Sequence, residues 1–124
     1  MLVYSDLTRV LIQSFPEFSA QITDRESGPY VSFGQFFKAL KTDVESKIDP
    51  IPLILRAVRL FEDMCESNDL DVEELVAIDL IYDIADSPLL LDHVKKLAKG
   101  RLAERINGVG PNYSNNDPYG KGRS

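Results

Sequence analysis

Apolar side chains recur every three or four positions along almost the whole of residues 7–107, and that spacing leaves little room for any fold but a helical bundle. The sets are Leu7, Val10 and Leu11; Phe33, Phe36, Phe37 and Leu40; Ile51, Ile54, Leu55, Val58, Phe61 and Cys65; Leu75, Val76, Ile78, Leu80, Ile81 and Ile84; and Leu90, Leu91, Val94, Leu97, Ala98 and Leu102. Strand-like alternation is scarce. Turn chemistry separates the sets: Phe15-Pro16, Ser27-Gly28-Pro29, Asp49-Pro50, Ser67-Asn68-Asp69 and Ser87-Pro88. The sequence therefore predicts an all-α, single-domain bundle of about six helices over residues 1–107.

Local signals place the helix starts. Ser5, Ser32 and Ser87 are candidate N-caps, Pro16 suits the first turn of a short helix reaching about Asp24, and Asp71 with Glu74 three residues on reads as a capping box. Gly100 ends or bends the last long helix. The Leu75–Ile84 stretch is apolar on most sides and is expected at the centre of the bundle. After Asn107 the composition changes: residues 108–124 hold four glycines, two prolines and one aliphatic residue, Val109. That reads as an irregular Gly/Asn/Pro-rich tail, with Tyr113 and Tyr119 as the residues able to anchor it.

Charge limits the partners. The chain has 124 residues with 14 Lys+Arg against 20 Asp+Glu, a formal net charge of −6. An acidic balance argues against nucleic acid, whose phosphates require clustered cations. No apolar run approaches ~18 residues, so no membrane span is expected. The start, Met1-Leu2-Val3-Tyr4-Ser5-Asp6, lacks the basic segment of a secretory signal, and the single Cys65 excludes a disulfide framework. A cytoplasmic protein is the expectation.

Catalytic signals are nearly nil. His93 is the only histidine and has no second His with which to build a metalloprotease or di-iron motif. Cys65 shares the spacing of Val58 and Phe61 and reads as a buried thiol. The glycines form no phosphate-binding loop. Asp69, Asp71 and Glu73 alternate like a calcium loop, but Glu74 stands where the glycine belongs and Leu80 where the last acid belongs. No enzyme activity, metal or cofactor is expected.

The acids themselves are unevenly placed. Between Leu60 and Val94 there are eleven carboxylates and no Lys or Arg, whereas residues 95–105 carry Lys95, Lys96, Lys99, Arg101 and Arg105 against Glu104 alone. Asp71, Glu73 and Glu74 suit a first helical turn. Glu62, Asp63 and Glu66 fall in the last turns of their helix, where a carboxylate opposes the helix dipole at roughly 0.3–1 kcal/mol each. Asp79 and Asp83 form a like-charged i, i+4 pair costing about 0.2–0.5 kcal/mol. Two readings stay open. Either the run Lys95–Arg105 folds back and neutralises these acids, or they form a docking surface for a basic partner. Tyr82, beside Asp79 and Asp83, is then either an interface aromatic or a core tyrosine with a wet hydroxyl. The row Phe33, Phe36 and Phe37 reads as core.

Phe15-Pro16-Glu17-Phe18 after a first helix, Phe33-Gly34-Gln35-Phe36 opening a middle one, and Leu60-Phe61-Glu62-Asp63-Met64 followed by Asn68-Asp69 and the apolar Val72–Ile84 helix resemble a known pattern. The chain is similar, over roughly residues 7–86, to small helical bacterial immunity proteins of contact-dependent growth inhibition and related polymorphic toxin systems. The resemblance implies a non-catalytic protein that binds and neutralises one cognate toxin domain, commonly a nuclease with a basic cleft. The candidate partner-binding residues are Glu62, Asp63, Glu66, Asp79, Tyr82 and Asp83. Two rival readings stay open, a self-associating helical regulatory or scaffolding module and a carboxylate–metal enzyme.

Overall fold

A computed structural model describes residues 2–110. After a 3-10 turn at Tyr4–Asp6 come α1 (Leu7–Ser14), a second 3-10 turn (Pro16–Phe18), α2 (Pro29–Ser46), α3 (Ile51–Cys65), α4 (Leu70–Leu75), a π-helical turn (Val76–Leu80), α5 (Ile81–Ala85), α6 (Pro88–Leu97) and α7 (Gly100–Asn107). The α4, π and α5 segments run on without a break. Counted as one rod, they bring the described chain to six helices without a strand, as the periodicity predicts. Residues 111–124, with the tail anchor expected from Tyr113 or Tyr119, lie outside the described residues. Val109, two positions past α7, is still buried.

The phenylalanines organise the first half of the core. Phe36 meets the rings of Phe15, Phe18, Phe33, Phe37 and Phe61 at centroid distances between 4.8 and 6.4 Å. All six are buried, so the aromatic row is core. Arg56 clamps α3 to the α1–α2 connection: its guanidinium lies 4.8 Å over the Phe15 ring and donates to both oxygens of Glu17 and to the Ser14 carbonyl. That bond to Arg56 holds the Glu17 carboxyl below its ordinary range despite partial desolvation.

Four local expectations are corrected. Ser5 caps nothing, because the chain enters α1 through the 3-10 turn at Tyr4–Asp6 without a side-chain cap. The helix expected from Pro16 to Asp24 is only the turn Pro16–Phe18. Gln35, from α2, accepts the Asp24 amide and donates to Thr23, taking backbone and side chain away from further helix. Ser32 does not cap α2, which starts three residues earlier at Pro29, after Gly28 at φ 96°. Ser32 is buried, donates to the Gly28 carbonyl and accepts from Thr8. The cap of α4 is Asp69, whose side chain accepts the Asp71 amide, so the Asp71/Glu74 capping box does not form. Ser87 caps α6 as its position predicts, accepting the Leu90 amide.

The centre of the bundle is also shifted. Helix α3 packs against α1, α4, α6 and α7, and eight of its residues are buried. The α4–π–α5 rod lies beside it, with Ile78 only half-buried. Its apolar circumference reflects packing on α3 and α6 rather than a central position. No described helix is long and apolar enough to cross a membrane.

Candidate protein-binding surface

The six sequence-derived candidates fall into two groups. Glu62, Asp63 and Glu66 stand at the C-terminal end of α3, as their sequence position predicts. That end abuts the N-terminus of α7. Glu62 accepts the Lys99 amide at 2.8 Å through one oxygen and pairs with Arg59 at 2.8 Å through the other. Its side chain is only 17% exposed. Lys99 is the N-cap of α7, where no side chain of its own serves the orphan amides. Glu62 therefore supplies from α3 the capping oxygen that α7 lacks, at the positive end of that helix's dipole. Glu66 follows the same direction: it pairs with Arg101 at 3.7 Å, and a methyl group at Gly100 would meet its Oε2 at 3.3 Å. Two carboxylates unfavourable to their own helix are thus favourable to the next. Asp63, one position from Glu62, is exposed.

The basic run does fold back, in part. Arg101 reaches Glu66 and Arg105 reaches Glu73 at 3.6 Å, both in exposed pairs of modest energy. Asp86 pairs with Lys41 and Asp92 with Lys96. No Lys or Arg among the described residues pairs with Asp63, Asp71 or Glu74. The neutralisation covers the α3–α7 end and reaches one acid of α4, Glu73, but not Asp71 or Glu74.

Asp79, Tyr82 and Asp83 occupy the π turn and α5. Asp79 and Asp83 are half-buried, and Tyr82 is only 7% exposed. Of the six candidates, Asp63 and Glu66 are exposed, Glu62, Asp79 and Asp83 half-buried and Tyr82 buried. The structure brings Asp79 toward Tyr30, in the company of Glu74. Burial first, then the charges of Glu74 and Asp79 and the neighbouring Tyr4, pushes the Tyr30 hydroxyl up to about 12. Tyr4 lies against Tyr30, with ring centroids 6.4 Å apart and planes tilted by 52°. Its hydroxyl is raised by burial, then by Asp71 and Glu74.

This acid–tyrosine face is absent from the sequence reading. Its members come from the N-terminal segment, the start of α2 and the α4 rod, and no sequence spacing links them. Asp71 and Glu74 suit a first helical turn, so nothing in the sequence sets them apart as a binding pair. The N-terminal segment is held in place by two bonds: Ser67 donates to the Leu2 carbonyl at 2.6 Å, and the Tyr4 amide donates to Asp69 at 2.8 Å.

The thiol of Cys65 is buried and pushed up to about 11, chiefly by desolvation, which makes it a poor nucleophile at neutral pH. Among the described residues no three His, Cys, Asp or Glu side chains group as a metal site. No family model, no curated protein and no solved structure matches the chain.

Proposed function

We propose that the chain is a binding inhibitor of the immunity-protein kind, which neutralises a basic toxin domain, a nuclease, through its acidic surface. The observation that supports this reading is the residual charge. Eleven carboxylates occupy residues 60–94 without a cation, and after the C-terminal cations have folded onto Glu66 and Glu73, Asp63, Asp71 and Glu74 still meet no Lys or Arg of the described chain. An uncompensated field of one sign steers an oppositely charged partner and rejects nucleic acid, the competing polyanion in a nuclease cleft. The weak catalytic inventory, a buried high-pKa thiol and one histidine, supports binding over chemistry.

The test is co-expression with the C-terminal domain of the protein encoded directly upstream. The expected result is that this domain arrests growth alone and not in the presence of the chain, and that the two copurify. Arrest undiminished by the chain, with no complex formed, overturns the reading.

A further inference from the structure

The face around Tyr4 and Tyr30 unites exposed apolar surface, paired aromatic rings and carboxylates without a cation. Leu70, the first residue of α4, is 76% exposed, and Val3, next to Tyr4, is 39% exposed. The two tyrosine rings meet at 6.4 Å between centroids, tilted by 52°. Asp71 is tied to the Tyr4 segment through Asp69, which accepts both their amides, and Glu74, a hydrogen-bond partner of Tyr30, follows three residues on. The face is also tied together by hydrogen bonds. One oxygen of Asp69 accepts the Tyr4 amide and the other the Asp71 amide, so a single carboxylate fixes both the N-terminal segment and the α4 start. The rod then passes through the π turn Val76–Leu80, an irregularity that recurs at functional sites, and this turn carries Asp79 to the Tyr30 side.

Such a face suits one cation above others. A guanidinium stacks flat on a tyrosine ring while its edge pairs with carboxylates, and it surrenders its hydration more readily than an ammonium. Tyrosines are enriched among interface hot spots because they cover much area for little lost side-chain freedom. Resting on the inhibitor reading above, we infer that this face is the docking surface, and that its occupant is an arginine-bearing projecting segment of the basic partner. One arginine lies against the Tyr4–Tyr30 pair with Asp71 and Glu74 as its counter-ions, and an apolar neighbour covers Leu70. The α3–α7 end, with Glu62 and Glu66 engaged internally, stays outside the contact.

The probe is a short peptide alternating arginine and leucine, with a citrulline counterpart that keeps the shape and loses the charge. Each is titrated into the full-length 15N-labelled chain. The expected result is amide shifts gathered at Tyr4, Tyr30, Leu70 and Glu74 with the arginine peptide and none with citrulline. Asp71→Asn with Glu74→Gln should weaken binding about tenfold, while Asp86→Asn with Asp92→Asn should not. Shifts centred elsewhere, or equal losses in both double variants, overturn the proposal. Should the first pair lose its fold by circular dichroism, the shift map on the unsubstituted chain decides alone. Sedimentation showing a dimer that Asp71→Asn with Glu74→Gln dissolves assigns the face to a second copy and overturns the proposal. Undiminished neutralisation of the co-expressed domain by the Asp71→Asn, Glu74→Gln variant removes this face and leaves the inhibitor reading standing. Failure of that co-expression with the peptide map intact does the reverse.

Discussion

At the scale of single residues, carboxylates that look alike in the sequence separate by what they touch. Glu62 is mostly covered and accepts the amide that opens α7, whereas Asp63 beside it is exposed. Glu62→Ala should therefore lower unfolding free energy by about 1–2 kcal/mol, the usual loss for a helix cap, and Asp63→Asn should stay within about 0.5 kcal/mol. Urea midpoints of the two variants measure the difference. Gly100 stands at φ +61°, so Gly100→Ala should cost about 1 kcal/mol through backbone strain, with Glu66 displaced. The Tyr30 hydroxyl makes a pH-dependent contribution. It ionises at about 12 in the fold and near 10 in an open chain, so the unfolded chain sheds that proton first. Its contribution is complete below pH ~10 and is lost as pH rises toward about 12. Cys65, at about 11, acts in the same sense. The fall in urea midpoint over this range should accordingly be shallower in Tyr30→Phe than in the unsubstituted chain.

At the scale of elements, α7 is the piece whose attachment is most exposed. Its ion pairs, to Glu66 at the α3 end and to Glu73 in α4, are on the surface, and Leu102 and Ile106 are its buried anchors. The charges of Arg101 and Arg105 are felt at Cys65, which places that thiol near the α3–α7 contact. Leu102→Ala should loosen α7 at a cost of about 2–4 kcal/mol and speed thiol modification of Cys65, with most of the helical circular dichroism retained. A thiol as slow as in the unsubstituted chain would show that α7 does not shield it. The helices themselves were legible because each carries its own periodic apolar face and, at Ser87, its own cap. What could not be read is what depends on a distant partner. The Glu62 bond to Lys99 spans 37 residues, and Gln35 stops a helix from 11 residues away. The dipole cost of Glu62 and Glu66 holds for α3 alone. Its compensation by α7 exists only once the chain has folded. The acid–tyrosine face was illegible for the same reason, since Tyr4 and Tyr30 meet the α4 rod only in three dimensions.

At the scale of the whole molecule, the blocked charge of the sequence becomes an asymmetric surface. The C-terminal cations pair with Glu66 at the α3 end and with Glu73 in α4, and leave Asp71 and Glu74 without a Lys or Arg among the described residues. An asymmetric field acts on encounter more than on residence, because it orients a basic partner before contact while the desolvated centre of the contact sets how long the complex lasts. For the proposed inhibitor this separates two observables. Raising salt from ~0.05 M to ~0.5 M shortens the screening length several-fold, so the association rate with the basic domain should fall by at least about tenfold and the dissociation rate should change little. Removing the aromatic part of the face should do the opposite: Tyr30→Ala should raise the dissociation rate and leave the salt dependence of association intact. Stopped-flow association and dissociation across a salt series distinguish the two effects. A dissociation rate that climbs with salt as steeply as association falls would mean that the contact is held by exposed charge alone, with no role for Tyr4, Tyr30 or Leu70 at its centre.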